Sequence, residues 1–581
     1  MPATAGTLLL ALCLLLLPRP LPAQDPPTLR VVIEGVEGEL LDNVAAFLEI
    51  NRLAGQAVPY ESRIRWLHAR AEENIRQALQ PFGHYQPEIE KSLDQTGNEW
   101  VARYRINPGP PLRIAEMTVS VEGDGNNDLA FQRILTNLPL KEGDVLVHPQ
   151  YEEIKAALQN VAAERGYFDA RLVRREIRVN MQEYAARVEI RFATGRRYQF
   201  GKVEFRQDVL AQEFIERYKT FNEGDPYSLP PLLKLQSALI DSQYFSRVEL
   251  NASPDRATDH TLPVDVILEP RPKYKFTTGA GYGTDTGVRG RIGLENRRVN
   301  RWGHRYKVDL FASQIKFGLT ADYTIPLKNP TTDQLVFRTG YTDEDSDSID
   351  SQKFVIGASR QLQRGLWTHI YSLDFQQETF TFGDVEESSI LLIPSGVWTR
   401  IKADDRLNTT EGNRIIFELR GAYEGLLSDV SFLQGVVRGK LIEPVGDDGR
   451  LILRGDIGTS LVSDFDQLPA SVRFFAGGDR SVRGYSLDSI GPEEDGEVVG
   501  GKNLVIGSVE YEHRIRDKWS VAAFVDTGDA FDTESPELKT GVGLGVRWQS
   551  PVGPVRVDIA HALDEPPGDT IRLHLTIGPD L

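Results

Sequence analysis

The chain has 581 residues, too many for one domain, and carries 84 acidic against 66 basic side chains, a formal net charge of −18. A balance of that sign argues against a nucleic-acid partner. After the first residues no segment offers the ~18 consecutive apolar positions of a spanning helix, so any passage through a membrane would have to be made by strands that alternate lipid-facing and lumen-facing side chains.

Thr7 to Leu17 is an apolar run too short to span a bilayer, ended by Pro18 and followed by a small-residue cleavage pattern, Leu21-Pro22-Ala23. Residues 1–23 read as an export signal. Cys13, the only cysteine, lies inside it, so a mature chain has no thiol and no thiolate metal site.

From about 28 to 270 the sequence repeats one order of signals three times, with a period of roughly 75 to 90 residues. Each unit opens on a β-rich run: Arg30 to Gly35, Met117 to Gly123, then Phe200 to Phe205. Amphipathic helical sequence follows, as in Tyr151 to Arg165 and Leu229 to Ile240. The second helix ends at Gly83-His84-Tyr85, Gly166-Tyr167-Phe168 and Gln243-Tyr244-Phe245, where a glycine or amide lets the chain leave left-handed and an aromatic returns to the sheet. Two more strands complete a β-α-α-β-β unit, and Gly143-Asp144 recurs as Gly224-Asp225 before the second helix of the later units. The expected spans are 28–110, 111–196 and 197–270. Small mixed sheets of this kind leave an edge strand that can capture an extended client. Any ferredoxin-like α+β domain would give the same pattern, so the repeat alone leaves the alternatives open.

From about 272 to 581 the period changes to two. Ile415, Phe417, Leu419 and Tyr423 oppose Arg414, Glu418 and Arg420; Val542, Leu544, Val546 and Trp548 oppose Gly543, Gly545, Arg547 and Gln549. Val555, Val557 and Ile559 alternate with Arg556 and Asp558, and Ile571, Leu573, Leu575 and Ile577 with Arg572, His574 and Thr576. About sixteen such runs lie between turn signals, an even number suited to a transmembrane antiparallel β-barrel with an aqueous lumen. A soluble sandwich would need a dry core, and charges and glycines pack poorly in one.

The longest connection, roughly 464 to 501, carries Gly477-Gly478-Asp479-Arg480-Ser481-Val482-Arg483-Gly484-Tyr485. Some forty residues later, Phe524-Val525-Asp526-Thr527-Gly528 places Phe524, Asp526 and Gly528 on one face of a strand. A loop guanidinium and an inward carboxylate are natural partners for a bidentate bond that would fold the loop into a wet lumen. The first barrel strand alternates Gly279, Gly281 and Gly283, which weaken it, and the last ends at Ile577-Gly578-Pro579, where Pro579 cannot donate to a ladder. These residues mark an expected weak seam.

The Arg483-Gly484-Tyr485 and Asp526 pair, behind three repeats and in this order, resembles the signature of the BamA/TamA superfamily of outer-membrane assembly barrels. The repeats resemble its periplasmic POTRA domains, and three of them within this length look like the TamA type, the outer-membrane subunit of the translocation and assembly module. The resemblance implies insertion or secretion of autotransporters and other outer-membrane proteins through a seam between first and last strands. It implies unfolded outer-membrane protein clients, membrane lipid, and an inner-membrane-anchored periplasmic partner of the TamB type, reached through the first module. An alternative role from another class is an outer-membrane terminus for phospholipid transport between the membranes. No G-x-S-x-G elbow, P-loop or H-E-x-x-H occurs, and no histidines pair at metal-ligand spacing. No cofactor, metal or enzymatic activity is expected. Arg454-Gly455-Asp456 lies inside a predicted strand and reads as coincidence rather than an adhesion motif.

Overall fold

The computed structural model describes residues 27–577, apart from 58–59, 347, 383–384, 406–407, 495, 551–552 and 566–569. The expected export signal, Cys13 and Gly578 lie outside the described residues.

Three small α+β domains come first. The first contains β1 (Thr28–Glu34), α1 (Gly38–Phe47), α2 (Glu61–Leu79), β2 (Glu88–Thr96) and β3 (Glu99–Asn107). The second contains β4 (Arg113–Glu122), α3 (Leu129–Thr136), α4 (His148–Arg165), β5 (Arg171–Asn180) and β6 (Ala185–Ala193). The third contains β7 (Gln199–Arg206), α5 (Gln212–Ile215), α6 (Leu229–Asp241), β8 (Phe245–Asn251) and β9 (Thr261–Pro270). In every sheet the last strand in sequence is the central one, giving β1-β3-β2, β4-β6-β5 and β7-β9-β8. The central strand runs parallel to the opening strand in the first two domains, because two helices carry the chain back across one face. Buried positions alternate along the central strands: Trp100, Ala102, Tyr104 and Ile106 in β3, and Ala186, Val188, Ile190 and Phe192 in β6. Each packs on its helices, through Ile64, Ala71 and Ile75 in the first domain and Ile154 and Leu158 in the second. At the repeated helix ends Gly83, Gly166 and Gln243 all take positive φ, at 85°, 82° and 63°. One buried carboxylate organises the second domain. Asp128 caps α3 through the Ala130 amide (3.0 Å) and receives both Arg165 (3.1 Å) and the Tyr167 hydroxyl (3.1 Å). Burial pushes its carboxyl up, but the amide, the guanidinium and the hydroxyl together hold it below the usual carboxylate range.

Among the described residues the remaining chain forms a sheet of sixteen antiparallel strands, taken in sequence order from Tyr274–Gly283 to Ile571–Ile577, and a two-stranded ribbon of Glu493–Glu494 and Glu497–Val498 in the longest connection. Period-two sequence explains it. Phe276, Ile292, Ile356, Leu461, Leu544 and Ile571 are all more than half exposed on the outside, while Asp309, Glu378, Gln434, Asp526 and Asp558 are buried inside. An apolar outer band of that extent is unusual for a water-facing surface and suits lipid. No helix among the described residues is long and apolar enough to cross a membrane. Strand lengths are uneven: the eighth (Val385–Ala403) has 19 residues and the sixteenth has 7 among the described residues.

Candidate functional site

The chain between the eleventh strand (Gly449–Val462) and the twelfth (Asn503–Arg516) enters the sheet's concave side. On that side part of the loop meets the wall through apolar side chains. Phe474, Ala476, Val482, Tyr485 and Ile490 of the loop are buried against Val436, Leu504, Ile506, Ala530 and Ala562 of the wall. A second apolar contact sets Leu468 and Val472 against Leu391, Ile393 and Phe432.

Within the loop, Arg473 donates to four carbonyls of its own segment: Leu468 (2.8 Å), Val499 (3.1 Å), Phe465 (2.9 Å) and Asp466 (2.8 Å). Its guanidinium also stacks 4.4 Å from the Phe465 ring centre. The loop is pinned to the seventh strand (Trp367–Phe382) by Glu378, which is fully buried and accepts from the Ser471 amide (3.1 Å), the Ser471 hydroxyl and Gln376 (2.9 Å).

Arg483 is the centre of the site. It grips Asp526 bidentately, Nε to Oδ2 at 2.6 Å and Nη2 to Oδ1 at 3.0 Å, and Asp526 also accepts from the Arg483 amide at 3.2 Å. Nη1 reaches Glu510 (2.8 Å) and Asp558 (3.1 Å), and the guanidinium lies 3.4 Å from the centre of the Phe524 ring. Its side chain is 8% exposed and that of Asp526 0%. The sequence suggested a two-membered pair in a wet lumen; the structure shows a larger charged network, beside a cavity lined by Arg454, Arg483, Glu510 and Asp558. Arg547 of the fourteenth strand (Lys539–Ser550) bonds Glu510 (2.7 Å), Glu512 (3.0 Å) and Asp558 (2.5 Å), and Arg450 bonds Glu512 (2.6 Å). Arg454 comes within 3.9 Å of Asp526. Four guanidiniums thus face four carboxylates, a balance that lets burial proceed without a stranded charge.

Glycines make the room. Gly541, Gly543 and Gly545 share the inner face of the fourteenth strand, and a Cβ on them would collide with the Arg483 carbonyl, the Phe524 ring and the Asp558 carboxylate respectively. Gly484 needs its positive φ of 105° to lie against the backbone of Ala562. The Gly484 amide donates to His574 Nε2 (2.9 Å), and the Tyr485 hydroxyl donates to Asp564 (3.1 Å).

The seam residues are differently placed. Gly279, Gly281 and Gly283 lie on the first strand, whose ladder runs only to the second (Gly287–Asn296). Ile577 closes the sixteenth, whose ladder runs only to the fifteenth (Gly553–Ala562). Among the described residues no backbone ladder joins first to last. Sequence reasoning missed Arg473, Glu378, Glu510, Glu512 and His574. Their only signal was charge on lumen-facing positions, which does not say which distant charge each one meets.

Comparison with known proteins gives a consistent result. The model of the Omp85 superfamily domain matches residues 275–580, more than half of the chain. The POTRA domain TamA domain 1 matches 30–108, and the surface antigen variable number repeat, a POTRA family, matches 117–195. An outer membrane protein assembly factor BamA from Nitratidesulfovibrio vulgaris is 25% identical over 390 residues, covering 63% of this chain and 48% of that one. The chain therefore spans about half the length of that relative. The BamA of Neorickettsia risticii is 22% identical over 529 residues, 83% of this chain and 68% of that one. The crystal structure of BamA from Haemophilus ducreyi lacking POTRA domains 1–3 superposes with a TM-score of 0.67 at 19% identity, covering 80% of this chain and 99% of that one.

Proposed function

The chain belongs to the Omp85 superfamily, and from that premise we propose that it inserts or secretes autotransporters and other outer-membrane proteins through the seam between its first and last strands. Its barrel sits in the outer membrane with the POTRA domains in the periplasm. The observation that carries the reading is the seam: neighbouring strands elsewhere share ladders, and these two share none among the described residues. Unpaired edges there offer a template on which a client strand can add. Arg483, Gly484, Tyr485 and Asp526 act as the lock that keeps the loop in the lumen. Gly279, Gly281, Gly283 and Ile577 are the parts of the wall that part, and Gly578, outside the described residues, is expected with them from the sequence.

The match of the first module to the TamA-type POTRA supports a TamB-type periplasmic partner bound there. On this reading the modules keep the spans 28–110, 111–196 and 197–270, and deletion of 28–110 abolishes partner binding while the barrel still inserts. The deciding experiment is depletion of the protein with two readouts, client barrel insertion and outer-membrane phospholipid content. Loss of insertion at unchanged lipid content supports the insertase. Early lipid loss with normal insertion would replace it with a lipid-transport terminus.

A further inference from the structure

The first and last strands are not left unconnected. The Leu575 amide of the last strand donates to Thr284 Oγ1, in the turn after the first strand, at 3.4 Å. The Thr284 hydroxyl donates to Asp479 Oδ1 of the loop (3.3 Å), and the Asp479 amide donates to Asp285 Oδ2 in the same turn (3.0 Å). Asp479 Oδ1 lies 2.5 Å from His574 Nδ1 of the last strand.

The tautomer of His574 follows from its other bond. The Gly484 amide can only donate, so Nε2 carries the lone pair and the ring proton sits on Nδ1, pointing at Asp479. The neutral ring thus satisfies both nitrogens at once, one on each side of the loop segment 479–484. Its side chain is 3% exposed, and that of Asp479 13%. Across the strand pair, His574 stands in register with Asp558, which binds Arg483. The seam contacts and the Arg483 network are therefore contiguous.

We propose that Asp479 and His574 are positioning residues that form a latch, so that the loop, rather than a β-ladder, closes the barrel. The loop holds the turn after the first strand with one end of Asp479 and the last strand with the other. Withdrawing the loop removes both attachments together and leaves the 3.4 Å contact of the Leu575 amide with Thr284 to hold the seam. Seam opening and loop release are then one event. The use of this opening for client insertion rests on the reading above; the latch itself does not.

The test uses the full chain in lipid bilayers, with Cys13→Ser and spin labels on cysteines at Thr278 and Leu573, one on each seam strand. A second pair, at Leu373 and Leu433, reports on wall remote from the seam. His574→Ala and Asp479→Ala should each enlarge the separated population of the seam pair by about tenfold, as expected when one charge-assisted bond is lost. The double variant should add little, and the remote pair should not move. His574→Gln, which keeps a donor and an acceptor, should restore most of the closed population. Barrel folding is checked by heat-modifiable migration on gels. Should His574→Ala fail to fold, Asp479→Asn is measured with the same labels. An unchanged seam distribution in the folded variants overturns the latch. Wider opening with unchanged client insertion leaves the latch standing and removes the insertase reading.

Discussion

Half-way round the barrel the seventh and eighth strands meet through an unbroken antiparallel ladder, from Trp367↔Arg400 to Phe382↔Val385. The first and last strands share none among the described residues and are bridged by Thr284, Asp285, Asp479 and His574. The two places solve the same problem, satisfying strand edges, by different means. A ladder spreads its stabilisation over many equivalent bonds and opens only as a unit. A side-chain bridge concentrates it in a few groups, so a change at one of them can open the wall. Among the described residues the wall is held by many bonds between the seventh and eighth strands and by few at the seam.

The strongest way to break this contrast is to remove the hub. Arg483→Ala removes the bidentate partner of Asp526 and one of the two guanidiniums on Glu510 and Asp558, which keep Arg547, and truncations within buried charge networks cost about 3–5 kcal/mol. Protease access to 479–500 in intact cells should rise sharply, with the strands still paired. Asp526→Ala should have a similar effect, and the double variant should fall well short of the sum. Clearly additive losses would show that the two residues act independently. Filling the keyhole is the next test. Gly541→Val or Gly545→Val inserts a side chain where the loop backbone or Asp558 lies, an overpacking that costs about 1–3 kcal/mol. Denaturation should register it, together with the same gain in protease access.

Amide exchange sharpens the contrast without mutation. Amides of Trp367–Phe382 should exchange on the timescale of global unfolding, and those of Ile571–Ile577 orders of magnitude sooner. Equal protection would erase the distinction. The smallest expected effect lies outside the barrel, at a buried carboxylate that serves stability alone. Asp128→Asn should weaken the second module by about 1–2 kcal/mol through its cap and its arginine. Because the folded Asp128 carboxyl is held below its unfolded value, its contribution is complete above the unfolded range near pH ~4 and fades as the pH falls through the folded value. The melting temperature of the wild-type module should therefore drop in acid more steeply than that of the variant. Parallel acid profiles would remove Asp128 from the account.

Much of this was legible in the sequence because the signals are local and periodic. The switch from helical period to period two marks where modules give way to barrel, and turn signals delimit all sixteen strands. Arg483 and Asp526 could be paired because each stands in a short stretch with an unusual neighbour. The rest of the network could not. Glu510, Arg547 and Asp558 are ordinary lumen-facing charges, and which of them meet depends on the register of four strands and the depth of the loop. Gly543 and Gly545 read only as the polar-face positions of an alternating strand, and only the loop's position shows what they make room for. His574 read as one polar residue among several, since its partners lie 90 and 95 positions away in sequence.

Arg473 bears on how the loop travels. By donating to four carbonyls of its own segment it ties that segment into a body that keeps its shape apart from the wall. Such a body leaves like a stopper, whole: its contacts with the wall, Glu378 and Arg483 among them, oppose the exit, and no disorder of a freed chain favours it. It can also return at once, since nothing has to refold before it fits.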